Sequence, residues 1–390
     1  MKLFDTDPIS IYQKGLENDI YVDEKAFIET NLKEFVNYKV FKPYKMAAKV
    51  KQKPKLYGVI FGLVSSCWFL LNFLYQTKVF LSVVSKFQWK RAQSFRGGKL
   101  LIVATPRALD QIDKVQNQNN VPQEYLFLGT CKGIAHKKNH GIYQYLDFSV
   151  LVTHFFTSLF LYKRLKLKGV DKLQTLTCQD WLHSFSVLEQ IDRESEVWFA
   201  NHYDRWAILF SYLNCKSKVL LQHGIVNSSS TPPNKLQGVS AVHLISEDQK
   251  QFIKGHFVAN AFQAYTLKGT LTLSNVVAKD KLRVLIVGNI GMYAGNEQKI
   301  ISSLSQKPVH LLLKPHPVLS FEDYLVWKKQ YNYHFIEDKE VFPDVDLVVS
   351  YESTVGVEYA QKDIDVIYYN EKSVDEIIEI ILKRAHSNGG

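Results

Sequence analysis

The sequence predicts an α/β protein with two doubly wound parallel domains behind a basic, helical N-terminal region. Three observations predict it. The length of 390 residues, with 46% hydrophobic and 22% charged residues, is long for one core and ordinary for two. Two series of short apolar runs alternate with helix-like stretches, the pattern of buried parallel strands in βαβ units. The net charge of +10 is concentrated in one stretch.

Residues 1–98 are expected to be a helical, membrane-associating region. From Phe35 to Gly98 there are twelve Lys or Arg and no Asp or Glu, so the rest of the chain sums to about −2. Within it, residues 56–77 carry no charge, are rich in aromatics and are flanked by lysines. About twenty apolar residues suffice to cross a bilayer. Ser65, Ser66, Asn72 and two glycines dilute this segment, however, and Tyr57, Trp68 and Tyr75 beside lysines suit helices lying in the interface of an anionic leaflet. A true span, or a buried helix pair under a solvated lysine face, are the other readings. No nucleic-acid recognition motif accompanies the basic run, so nucleic acid is not an expected partner.

Residues 99–255 form the first expected Rossmann-like domain. Its strands are read at 99–105, 124–130, 196–200, 218–222 and 241–246. The stretch 150–169 reads as a core helix ending at Gly169 after a basic last turn. Residues 256–281 lack a strong apolar period and are expected to connect the domains. Residues 282–390 form the second domain, with strands at 282–288, 309–315, 333–337, 346–350 and 365–369. The cysteines Cys67, Cys131, Cys178 and Cys215 have no metal-ligand spacing, and no cleavable secretory signal opens the chain, which suits a reducing cytoplasm.

Ligands of doubly wound sheets sit beyond the carboxyl ends of the strands, so the residues just after each run are the candidates. Lys314 and His316 follow one run, and Pro315 and Pro317 keep the backbone extended, so ammonium and imidazole are expected to project together toward a phosphate. Ser353 and Thr354 fall at the first turn of the next helix, where unpaired N–H groups favour an anion; plain N-capping is the competing role. Glu358, a turn further in, would accept ribose hydroxyls or complement the dipole. Gly288, Asn289 and Gly291 form a glycine-bearing loop through which backbone amides would approach phosphate.

The run 309–315 followed by 346–360 resembles the donor-binding half of GT-B glycosyltransferases of bacterial capsule polysaccharide and lipopolysaccharide synthesis. The similarity is to the groups using CMP-activated acids (sialyl, polysialyl and Kdo transferases) and to CDP-glycerol glycerophosphotransferases. It covers roughly 280–370 and, loosely, 196–226. The resemblance implies two Rossmann-like domains facing a cleft, His316 on the donor phosphate, Ser353 and Thr354 on phosphate oxygens and Glu358 on the ribose.

For the acceptor base the candidates are His223, directly after a strand in "QHGIV" and similar to a catalytic histidine of the glycerophosphotransferase group, then Asp204 and His202. Asp204 also sits where an N-cap belongs. The acidic pairs at 5–7, 344–346 and 363–365 lie away from strand carboxyl ends, so the chemistry is expected to be metal-independent, with no cofactor beyond the nucleotide-activated co-substrate. The expectation is an inverting, membrane-associated transferase on the cytoplasmic face of the bacterial inner membrane, moving a sugar to a glycan or lipid-linked acceptor. The inverting assignment rests on the resemblance alone. Transfer of a polyol phosphate from a CDP-polyol, a nucleotide-sugar epimerase or hydrolase, and a non-catalytic adaptor are the alternatives.

Overall fold

The computed structural model describes residues 7–24, 53, 55, 58–59, 62, 66–87, 98–104, 109, 124–128, 139–226, 231–267, 271–275, 281–288, 294–316, 322–338, 340–351, 353–369 and 371–388. Asn289, Gly291 and most of the lysine-rich stretch before Ser66 lie outside these residues. The described chain divides into two compact units, one running to Leu267 and the other from Leu271 onward.

The first unit is built on seven parallel strands: β1 (Lys99–Val103), β2 (Glu124–Phe127), β3 (Asn139–Gly141), β4 (Glu196–Phe199), β5 (Ser217–Leu221), β6 (Ala241–Leu244) and β7 (Gln263–Thr266). Their order in the sheet is β3-β2-β1-β4-β5-β6-β7, a doubly wound order whose direction reverses between β1 and β4. The inner strands β1, β2, β4, β5 and β6 are apolar runs because both faces are covered. Leu100, Ile102, Val197 and Leu220 point into the larger core, while Leu101, Val103, Trp198 and Val219 fill the other side.

Among the described residues this unit holds six α-helices: α1 (Pro8–Asp19), α2 (Trp68–Val84), α3 (Phe148–Arg164), α4 (Cys178–Leu188), α5 (Arg205–Ser211) and the one-turn α6 (Gln249–Phe252). Asp7 caps α1, accepting from the Ser10 N–H at 3.2 Å, with Pro8 in the first turn. Ile11, Tyr12 and Leu16 of α1 enter the larger core.

The second unit holds β9 (Leu282–Val287), β10 (Val309–Lys314), β11 (His334–Phe335), β13 (Leu347–Ser350) and β14 (Asp365–Tyr368), all parallel, in the order β11-β10-β9-β13-β14. A separate short pair joins β8 (Leu273–Ser274) to β12 (Phe342–Pro343). Its helices are α7 (Ala294–Leu304), α8 (Glu322–Lys328), α9 (Thr354–Ala360) and α10 (Val374–Asn388). Here the order reverses between β9 and β13.

Three expectations are corrected. The described part of 1–98 is not a region apart, since α1 and α2 both pack on the first unit. The presumed connection 256–281 supplies β7 to the first sheet and β8 to the second unit; alternating polar residues such as Gln263 and Thr266 hid an edge strand. The helix expected over 150–169 ends at Arg164, where Lys166 turns left-handed at φ 55°, and Gly169 instead opens a 3-10 stretch.

Candidate functional site

In each unit the switch point of the sheet lies next to expected site residues. In the first unit β4 ends at Phe199 and runs into Ala200, Asn201 and His202, while β5 ends at Leu221 and runs into Gln222 and His223. The two imidazoles stack with centroids 4.2 Å apart and planes 23° from parallel. His202 is buried, and its Nε2 accepts the His223 backbone N–H at 3.0 Å. An accepting nitrogen carries no proton, and burial together with the neighbouring His223 holds His202 well below the ordinary histidine range. His202 is therefore a neutral platform.

The half-buried His223 is fixed differently. Its Nδ1 bonds the Ala200 carbonyl, and a carbonyl only accepts, so Nδ1 carries the proton and Nε2 is the basic nitrogen. Gln222 braces the loop on both sides. Its Nε2 donates to the Gly224 carbonyl and to Gln249 Oε1 at 2.9 and 2.8 Å, and its Oε1 accepts the Ile245 N–H at 2.9 Å. Gln249 Oε1 in turn accepts the Val226 N–H at 2.9 Å. The backbone around His223 is thus held by two buried glutamines.

Asp204 is a helix cap. Its Oδ1 accepts the N–H groups of Trp206 and Ala207 at 3.0 and 2.9 Å, and its Oδ2 accepts Asn201 Nδ2 at 2.6 Å. Burial and the nearby Asp19 carboxylate push its pKa up to about 7 against these hydrogen bonds. With both oxygens engaged in holding α5, the base role expected of Asp204 gives way to capping.

Beneath this cap lies a buried ion pair, Asp19 with Arg205 at 2.5 Å, in which burial raises the Asp19 carboxyl and Arg205 pulls it back. Arg205 Nη1 also donates to Tyr12 Oη and Thr177 Oγ1 at 3.1 and 2.7 Å. Asn18 donates to the carbonyls of Tyr203 and Asn234 at 2.7 and 2.8 Å and accepts the Asn234 N–H at 2.8 Å. So α1 clamps the loop that carries His202.

In the second unit β9 ends at Val287, just before Gly288, and β13 at Ser350, on the two sides of the switch point. Ser350 Oγ donates to the Tyr351 carbonyl at 2.7 Å. Its single proton is then spent, so Ser353 Oγ donates to Ser350 Oγ at 2.8 Å while accepting the Gly356 N–H at 3.1 Å. Ser353 is the N-cap of α9. Its hydroxyl proton is directed inward, which corrects the phosphate role expected of it. Thr354, half-buried at the start of α9, makes no side-chain hydrogen bond among the described residues. Glu358 is buried one turn on.

Lys314 is corrected as well. Instead of projecting beside His316, its buried ammonium donates to the Asp338 and Val341 carbonyls at 3.0 and 2.8 Å and sits 4.3 Å above the Phe342 ring. Desolvation pulls its pKa down, opposed by Asp338 and Glu340. It ties the end of β10 to the chain beyond β11. His316, half-buried two residues on, stays at the strand end. Gly288 is explained by packing: a Cβ there would meet Tyr324 Oη at 2.6 Å, and its N–H is bonded to the Lys314 carbonyl at 2.8 Å. Tyr324 Oη donates to the buried Glu297 at 2.7 Å, so a tyrosine–glutamate post stands under the strand ends.

The site residues missed from sequence are Asn18, Asp19, Asn201, Gln222, Gln249, Glu297 and Tyr324. Asn201 and Gln222 directly follow the apolar runs of β4 and β5 but are neither charged nor imidazole; the other five lie on helices, away from the strand ends where the candidates were sought. An open depression of about 780 Å³ also lies over the amino halves of β4 to β7, lined by Glu196, Trp198, His243, Gln263 and Tyr265, at the opposite strand ends from His202 and His223.

No family model matches the chain, and no curated protein matches it in sequence. Among solved structures it is similar to MurG of Acinetobacter baumannii, with 12% identity over 75% of this chain and 95% of that one and a TM-score of 0.34. It is also similar to a mutant of the Thermobaculum terrenum O-GlcNAc transferase, with 10% identity over 89% of this chain and 69% of that one and a TM-score of 0.33. Likenesses this loose carry no argument about activity.

Proposed function

We propose that the chain is a GT-B-type glycosyltransferase that moves a sugar from a nucleotide-activated donor to a glycan or lipid-linked acceptor. The observation that carries this is the placing of the candidate residues at the switch point of both sheets, where doubly wound proteins bind their ligands. The second unit takes the donor, with His316 and Thr354 facing its phosphate and Glu358 its ribose. The first unit supplies the acceptor base. His223, with its tautomer set by Ala200 and its ring supported by neutral His202, takes the proton of the acceptor hydroxyl at Nε2 as that oxygen attacks the anomeric carbon. The donor's phosphate leaves without a metal ion, met by His316 and the α9 first turn.

A CMP-activated acid is the favoured donor, from the resemblance of 309–315 and 346–360. The histidine–glycine pair at 223–224 keeps transfer of a polyol phosphate from a CDP-polyol as the second reading. The acceptor's amphiphilic character fits association with an anionic membrane surface through the basic, aromatic part of 35–98, at the cytoplasmic face of a bacterial inner membrane.

The test is a thermal-shift panel of the full chain with CMP, CDP, UDP, GDP and dTDP without added metal, repeated with His316→Ala. A nucleotide at a hundred times its Kd adds about 2.7 kcal/mol of apparent stability. Stabilisation by CMP or CDP, lost in His316→Ala, is the expected result; a response to UDP, GDP or dTDP instead discards the cytidine donors, and no response to any nucleotide rejects the donor site. With the active nucleotide known, His223→Gln is expected to lower turnover by about 10²–10⁴ at an unchanged thermal midpoint.

A further inference from the structure

Helices α2 and α3 bury polar side chains and leave large apolar ones exposed. In a water-facing helix the polar residues point to solvent and the apolar ones to the core. In α2 the buried residues are Trp68, Asn72, Gln76 and Val83, so two amides share the inner face, while Leu70 is 57% and Leu74 56% exposed. Asn72 Nδ2 donates to the Leu159 carbonyl of α3 at 3.2 Å. Gln76 Nε2 donates to Asn72 Oδ1 at 3.1 Å and to the Leu176 carbonyl at 3.3 Å, and Gln179 Nε2 donates to Gln76 Oε1 at 2.9 Å. The α2 amides thus form the seam to the protein.

In α3 His154 and Ser158 are buried beside Leu151, Leu159 and Leu161, with His154 Nε2 bonded to Ser186 Oγ at 3.1 Å, while Phe148, Phe156 and Phe160 are exposed, Phe156 at 56%. The two helices join their outer faces through ring contacts, Phe69 with Phe160 at 5.9 Å and Phe73 with Phe155 at 6.1 Å. The outcome is one aromatic and aliphatic surface, of a kind that soluble chains rarely leave to water. Segments 66–87 and 148–168 contain six Lys or Arg (Lys78, Lys86, Lys163, Arg164, Lys166, Lys168) and no Asp or Glu.

We propose that the outer face of α2 and α3 lies in the interfacial layer of an anionic bilayer, with the six cations against its headgroups. This deepens the membrane part of the function proposed above and does not rest on the transfer chemistry. It brings in α3, which the sequence placed in the core, and it moves the anchoring surface beyond the lysine-rich stretch. Charge decides the occupant. A second copy would set the same six cations against each other, and the chain's own residues 39–55 carry seven lysines and no carboxylate, again the same sign. An anionic lipid surface offers both an apolar layer and the opposite charge. No described helix is long and apolar enough to cross a membrane, and α2 and α3, at 17 residues each, suit lying along the surface.

The test is flotation of the full chain with vesicles of phosphatidylglycerol and phosphatidylethanolamine against vesicles of phosphatidylcholine alone. The variants are Leu74→Glu, Phe156→Glu and the triple reversal Lys163→Glu, Lys166→Glu, Lys168→Glu, with Val326→Glu as an exposed apolar control in the second unit. The wild type and the control are expected to float with the anionic vesicles. Leu74→Glu and Phe156→Glu should each weaken partition about tenfold or more, and the triple reversal should abolish the preference for anionic lipid. Thermal midpoints near the wild type show that the variants fold.

Wild-type flotation retained by both Glu variants, or no flotation of the wild type, overturns the proposal. Loss of a dimer in Phe156→Glu with flotation unchanged also overturns it and gives the face to a second copy. If the nucleotide panel fails while flotation follows the expected pattern, the donor reading falls and the docking face stands.

Discussion

Around His223 the chemistry is set by groups that do not themselves react. His202 offers a stacking face because burial keeps it neutral, and Ala200 offers a carbonyl that decides which His223 nitrogen is basic. Asp204 shows how a residue that passes for catalytic is accounted for by its cap. Its elevated pKa has a consequence for stability. Between its ordinary value of 3.8 and about 7 the folded protein holds a proton on Asp204 that the unfolded chain has released. The folded state therefore binds more protons in that window, and this carboxyl's contribution to stability falls as pH rises through it. Asp204→Asn keeps the cap and stays neutral, and a flip of the Asn201 amide, whose Oδ1 has no partner among the described residues, would accept the new NH2. Urea midpoints of wild type and Asp204→Asn are expected to lie closest below about pH 4, to draw apart between there and about pH 7 and to stay apart above it, with the variant the more stable. Parallel curves across that range would show that the cap site is already ionised at pH 5.

The element that governs the first half-site is α1, and its docking depends on Gly15. A Cβ at Gly15 would stand 2.6 Å from the Arg205 Cα, a backbone atom that cannot swing aside. Gly15→Ala must push α1 away from α5 and stretch the Asp19–Arg205 pair. A loss of about 1–3 kcal/mol in urea unfolding is expected. Gly295, in the first turn of α7, meets nothing within 4 Å, so Gly295→Ala should raise stability by up to about 1 kcal/mol. Opposite signs for two glycine-to-alanine changes in helices would show that close approach, not helix propensity, sets the first.

These elements also show what the sequence disclosed. Ten strands were legible because each lies in a mainly apolar run with a polar turn after it. β7 was not, since an edge strand with one open face carries polar residues. The exposed face of α3 was not legible for the same reason in reverse: a run such as 150–162 is equally apolar whether its outer face is buried or left open, as Phe156 and Phe160 are. The strand-end residues His223, Asp204 and Ser353 were all found by position. Their division into base candidate and caps needed hydrogen-bond partners, which lie up to 23 residues away in the case of His223 and Ala200.

At the scale of the whole molecule, two parallel sheets with the same winding carry different chemistry at their switch points. The first presents an imidazole pair on a loop clamped by α1 and by two glutamines. The second presents a capped helix start and His316 above a tyrosine–glutamate post. Under the function proposed above, this difference divides the labour between acceptor activation and donor binding, and that proposal makes a prediction about where a nucleotide is felt. Hydrogen exchange of the full chain with saturating CMP or CDP should slow at the amides of 281–288, 314–316 and 353–360, which surround the second switch point. The amides of 200–206 and 222–226 should exchange at their ligand-free rate, because their protection comes from Asp204, Gln222 and Gln249 and is already in place. Protection appearing first at 200–226 would assign the nucleotide to the histidine pair and exchange the roles of the two units.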